Sequence, residues 1–393
     1  MYGYVFYEGE FLSLLKVNLS TAPLYISVFC LAVFGLYWWK THENFNSEEL
    51  LFYFAVAIPA VYIGTAYGFW YLTELGDIEI RNGYAEAYEW HEGYYTTSYN
   101  SKTKTTTRHY HPAKYYIYTS NEGEYEEVSL AEWSKIVSRW GGSSRVSSRV
   151  MALAAGEGFG ANGNFIPEVH KISWDNKIET RVPTAIEHRY VNFLRASDSV
   201  LKVHGAMGGY ERLLSDYPRT TNQGLGPISV FRVISKGVEL PPGFAEQVDK
   251  LLDDELCTLG ASKECNVMCY FVGTDRVGFF EALREKWQLG KKNDIVVVVG
   301  CSKTNIQWCR VMALTDRKLF LEKLEQRVRS IGDISKKEVE FVNAICDQVK
   351  ASGDAGFLRK PMSDFDYLAA SVRLPWWAEV LVVGNSIFEI EHL

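Results

Sequence analysis

NVMCYFVGTDRVGFFEALREKWQLGKKNDIVVVVG, residues 266–300, reads as strand, helix, strand. After Asn266 the next six residues, VMCYFV, are β-formers and apolar groups without a charge. Phe279, Ala282, Leu283 and Trp287 then recur at helical spacing, and Gly290 supplies a left-handed C-cap that stops the helix. DIVVVVG is continuously apolar, the pattern of a strand covered on both faces. Working outward, IQWCRVMAL (306–314) reads as another strand and RKLFLEKLEQRVRSI (317–331) as a helix, while GFAEQVDKLLDDEL (243–256) precedes them as an amphipathic helix. Helix–strand–helix–strand–strand–helix predicts a mixed α/β class, a sheet covered by helices, over residues 237–350. Residues 351–393 form a C-terminal extension, in which WWAEVLVVGNSIFEI (376–390) reads as a last strand or a surface-binding tail.

At the other end, the runs Val17–Trp39 and Leu50–Thr73 contain no Asp, Glu, Lys, Arg or His. A hydrocarbon core is roughly 30 Å thick and a helix rises about 1.5 Å per residue, so each run is long enough to cross. Tyr37, Trp38 and Trp39, and Trp70 and Tyr71, stand where aromatic belts form. Residues 1–76 are therefore expected to be a transmembrane hairpin, with helices at about 17–39 and 50–73. Lys16 and Arg81 flank the terminal side and Lys40 the loop, which places the soluble region on the cytoplasmic side.

Between these ends, residues 77–141 read as a strand-rich module. Two β-forming stretches flank the polar arm TTSYNSKTKTTTRHYHP (96–112), and a helix capped by Ser129 closes the module. Residues 142–236 are a mixed linker or α+β region. Gly158-x-Gly160-x-x-Gly163 within it matches the dinucleotide fingerprint in letters, but extended chain with Pro167 follows where a helix is required, so it reads as a loop. His109-x-His111 on a strand share a face, and with His91 across a hairpin they are candidate metal ligands. Asp275, Asp294 and Asp316 are candidate catalytic carboxylates for a hard divalent cation at the sheet rim. No Walker loop, nucleophile elbow, HExxH or kinase signature occurs. The net charge of −7 argues against a nucleic-acid partner. Of the seven cysteines, the six beyond Cys30 match no disulfide scaffold and read as core thiols.

Residues Gly237 to about Ile331 resemble the TPM domain. That family has a strand, a helix ending in Trp-x-x-Gly-Lys-x-x-Asn, and a hydrophobic strand; the counterparts here are NVMCYFVGTD, then Trp287, Gly290, Lys291, Lys292, Asn293 and Asp294, then IVVVVG. The resemblance implies an α/β sandwich with a central mixed sheet. More broadly the chain is similar to membrane proteins of bacteria and tailed phages with a TPM-like C-terminal domain. EIRNGYAEAYEWHE, HPAKYYIYTSNEGEYEEVSLAEWSKIVSRWG, EHRYVNFLRASDSVLKV, DYP at 216–218 and NIQWCRVMALTD carry that likeness. It implies the bacterial or host inner membrane. TPM proteins have been linked to acid phosphatase activity and to assembly of membrane complexes. The phosphatase-linked kind carries an early Asp that SKGVELPPGF lacks.

Together these readings predict a membrane-anchored, homo-oligomeric scaffold or partner-binding protein, with the lipid bilayer and other membrane proteins as partners. A metal-assisted phosphatase or hydrolase of the TPM type and an oligomeric pore are the alternatives.

Overall fold

The computed structural model describes residues 22–41, isolated positions between 47 and 59, and residues 75–120, 125–131, 133–134, 146–152, 168–174, 183–197, 202–218 and 230–372. The 158–163 glycine pattern, the 376–390 segment and most of the helix expected after Ser129 lie outside them. Helix α1 (Ala22–Thr41) occupies the later part of the first uncharged run. The second run is described only at isolated positions, and many α1 side chains lie outside the described set. Among the described residues no helix is long and apolar enough to cross a membrane, so the expected transmembrane hairpin gains no support from the fold.

The mixed α/β class holds. The strand-rich part is organised by β1 (Gly76–His91), which has two sets of partners. Its first half pairs antiparallel with β8 (Pro183–Val191), from Gly76↔Val191 to Tyr84↔Pro183. A register shift between Ala85 and Ala87 follows, and the second half lies between β4 (Lys114–Thr119) and β7 (Glu168–Trp174). With β5 (Tyr125–Val128) and β6 (Val146–Ala152) the strand order is β5-β4-β1-β7-β6. The stretch 142–236 thus completes the sheet begun at residue 76. Between β1 and β4 the expected arm forms its own two-stranded sheet, β2 (Tyr94–Asn100) and β3 (Thr105–His111).

The C-terminal sheet has the order β12-β11-β10-β9. Its strands are β9 (Val233–Lys236), β10 (Asn266–Val272), β11 (Asp294–Ser302) and β12 (Asn305–Ala313). The first three are parallel and β12 runs antiparallel to β11. Val267, Cys269 and Phe271 face a core built from α3 (Phe244–Lys263), α5 (Lys318–Ser330) and α6 (Glu338–Lys350). Met268 and Tyr270 face α4 (Phe279–Trp287) on the other side. A period of two along a strand sends successive side chains to opposite faces, so a wholly buried run needs cover on both. The connections β9-α3-β10 and β10-α4-β11 step the same way across the sheet but lie on opposite faces. One of them is therefore left-handed, against the usual preference.

The remaining helix α2 (Phe193–Ala196) starts at Asn192, whose side chain accepts from the Arg195 amide. The extension is no free tail over its described length. A 3-10 helix at Met362–Ser371 buries Phe365, Leu368 and Ala369 against Leu75, Val191, Phe193 and Leu194. The α4 helix stops two residues before the expected cap. Gln288, Leu289 and Gly290 all take positive φ, and the Gln288 amide already closes onto Arg284 and Glu285.

Candidate functional site

The start of β1, GDIEIRN, alternates charge and apolar side chain, and its carboxylates point inward: Asp77 and Glu79 are buried. Beside them the turn after α4 delivers Lys291 and Lys292. Lys291 Nζ and the Asp77 carboxylate form an ion pair, with Arg195 3.1 Å away on the same oxygen. The other Asp77 oxygen accepts from Tyr190 Oη at 3.0 Å and Asn192 Nδ2 at 2.9 Å. Glu79 is fully enclosed, with Arg81 at 3.0 Å, His188 Nδ1 at 2.9 Å, Lys292 at 3.1 Å and Arg359 at 3.4 Å. Burial pushes its carboxyl upward, but the hydrogen bond with His188 and the charges of Lys292 and Arg81 outweigh this and hold it at about 2. Burial lowers the His188 imidazole below its ordinary value despite Glu79 beside it. The Asp77 carboxyl is lowered too, because Lys291, Asn192 and Arg195 outweigh its burial.

A second, largely neutral layer continues inward. Asn82 Nδ2 donates to Asn266 Oδ1 at 3.0 Å, and Arg232 donates to Asn82 Oδ1 at 2.8 Å. Arg232 is buried and ion-paired with Asp253. Asn293 Nδ2 donates to the Ile80 carbonyl at 2.6 Å. This network joins the β1–β8 ribbon to the α/β sheet. Close backbone packing supports it: a Cβ on Gly260 of α3 would lie 2.4 Å from Asn82 Cβ.

The three candidate aspartates do not converge. Asp294 is wholly buried, and its oxygens accept from Asn266 at 2.9 Å, Tyr217 at 2.8 Å and the Lys291 amide at 2.9 Å. Burial raises its carboxyl against those hydrogen bonds. It ties the turn after α4 to the sheet. Asp316, exposed after β12, pairs with Lys360 at 2.8 Å. Asp275 is exposed beyond the far end of β10, about 20 Å of strand from Asp294. None of the three lines the open cleft of about 620 Å³ between α5 and α6, which Arg327, Lys336, Glu338 and Glu340 border.

The candidate histidines are separated by local partners. His91 Nε2 lies 2.6 Å from Glu89, and its ring sits against Tyr116. His111 stacks on Tyr94 and lies 2.9 Å from Thr96 Oγ1, while His109 is exposed opposite Thr96. Among the described residues no group of three His, Cys, Asp or Glu is placed to hold a metal ion. The six cysteines from Cys257 to Cys346 are buried and unbridged.

The arm carrying these histidines is the second notable feature. Nearly all of both strands is exposed, on both faces. The pairs Tyr95↔Tyr110, Thr97↔Arg108 and Tyr99↔Thr106 share one face, so every exposed tyrosine of the arm lies on the same side as Arg108. Arg108 sits 4.0 Å over the Tyr95 ring. The opposite face carries Thr96, Ser98, His109 and Thr107. Sequence reasoning found the arm but missed the ion network. Charge alternating with apolar residues in a strand is the mark of a half-exposed surface, and nothing local says that the charged side faces in. No family model matches the chain, no curated protein is similar to it, and no solved structure resembles it.

Proposed function

We propose that the chain is a membrane-anchored scaffold that presents the β2–β3 arm to a protein partner, rather than an enzyme. The arm carries the reading. A lone two-stranded ribbon is marginally stable in water, and here it leaves its aromatic face in solvent. Tyr and Arg on one face are the composition of interface hot spots. The anchor rests on the sequence alone: the uncharged runs 17–39 and 50–73 are each long enough to span about 30 Å as a helix. The ion network then couples β1, which begins just after the second run, to the α/β domain, so that the arm is held on a stiff body.

Alkaline carbonate washing of membranes, followed by photocrosslinking from p-benzoylphenylalanine at position 99, tests both halves. The chain should stay in the pellet and position 99 should capture protein. A chain released by carbonate would remove the anchor, and a position that captures no protein would remove the partner.

A further inference from the structure

We propose that the arm's occupant is a second copy of this chain, and that β2–β3 adds to the acidic edge strand β5 of that copy; this rests on the partner-binding reading above. Three observations point the same way. The first is charge. From Gly93 to Asn121 the chain carries Lys102, Lys104, Arg108 and Lys114 and no Asp or Glu, although its net charge is −7. The next stretch, NEGEYEEV (121–128), carries Glu122, Glu124, Glu126 and Glu127 and no Lys or Arg. The second is hydrogen bonding. Among the described residues β5 pairs with β4 alone and stands first in its sheet, and the arm pairs with no other strand. Among the described residues both therefore leave one edge of backbone N–H and C=O groups without a strand partner, the template for strand addition. The third is reach. β2 and β3 continue past His91 and Lys114, the end of the β1–β4 pair, whereas β5 stops at Val128 opposite Tyr115. The arm projects beyond its own β5 and leaves that edge uncovered by itself.

The charges also select among pairings between copies. Arm on arm sets cation against cation, and β5 on β5 sets carboxylate against carboxylate. Arm on β5 alone sets opposite signs together. Glu127 is exposed and, among the described residues, makes a long 3.5 Å contact with Lys114, so it can take a new cation. Thr105, Thr106 and Thr107 make β3 a strong strand former. Reciprocal docking, each arm on the other's β5, closes a two-fold dimer.

Light scattering on the full detergent-solubilised chain tests this with charge reversal. The wild type should be a dimer at low salt. Lys102→Glu with Lys104→Glu and Arg108→Glu should weaken association by at least about tenfold, and so should Glu126→Lys with Glu127→Lys. Uniting both sets in one chain should restore the dimer. A monomeric wild type, or a dimer indifferent to both reversals, overturns the proposal; so does failure of the united set to restore it when circular dichroism shows a folded chain. Should the reversed chains not fold, the wild-type crosslink from position 99 decides. An adduct to residues 121–128 of a second copy supports the exchange. An adduct to a different protein overturns it and leaves the partner-binding reading standing, while no protein adduct removes both. Arm-dependent binding of a monomeric chain to anionic phosphatidylglycerol vesicles would overturn it in favour of lipid.

Discussion

Glu79 has the most consequential single carboxylate among the described residues. It sits without solvent among His188, Lys292, Arg81 and Arg359. Its carboxyl falls from 4.5 to about 2 on folding, so its stabilisation is complete above pH 4.5 and is lost as pH falls through 2. The difference is on the order of 3 kcal/mol. Glu79→Gln should cost about that much at pH 7 and converge with the wild type near pH 2, as urea denaturation across this range will read. His188 adds an earlier loss with the same sign. Its folded value is lowered, so its contribution is complete above 6.5 and fades as pH falls below that. Asp294→Ala should destabilise by roughly 2–4 kcal/mol, because it strands the buried Asn266 amide and the Tyr217 hydroxyl. A stability loss under about 1 kcal/mol would return Asp294 to the list of functional carboxylates.

At the scale of elements, the docking of α3 on β1 depends on one missing methyl. Alanine ordinarily favours a helix over glycine by about 1 kcal/mol. At Gly260 the added Cβ would meet Asn82 Cβ at 2.4 Å and the Asn82 carbonyl oxygen at 2.6 Å, backbone that cannot swing aside. Gly260→Ala should therefore lower stability by about 1–3 kcal/mol, as measured by urea denaturation. A stabilised variant would mean that α3 and β1 are not packed as described. Elements of this domain were legible where burial is periodic. The α3 stripe and the unbroken DIVVVVG run announced themselves because a face, or both faces, had to be apolar. Helix α6 and the short β9 were passed over. Nothing in four residues of VISK separates a parallel edge strand from a loop. The partner of β1 was invisible for another reason: β8 lies about a hundred residues away in sequence, and register between distant strands leaves no local mark.

For the whole molecule, the described residues from 75 to 372 are joined by polar contacts as well as by apolar cores. Their thiols report on that packing. Burial raises Cys265, Cys301 and Cys346 to about 12, so little thiolate exists at neutral pH. In a Cys30→Ser background the six remaining cysteines should resist maleimide in the folded chain and react fully in denaturant, as counted by mass spectrometry. Fast labelling of the folded chain would mean that the α/β core opens readily.

The sequence by itself determined the α/β class, the strand–helix–strand centre at 266–300, the polar β arm and the uncharged N-terminal runs. Each is a local pattern, a periodicity or an absence of charge over consecutive residues, and such patterns act before any long-range contact is made. Only the tertiary structure decided where Asp77 and Glu79 point, that Asp294 ties down a turn, and that Asp275 lies at the opposite end of the sheet from it. A carboxylate looks the same in sequence whether water or lysine surrounds it. Its role follows from the groups that folding brings within a few ångströms, and for Glu79 those come from residues as distant as Arg359.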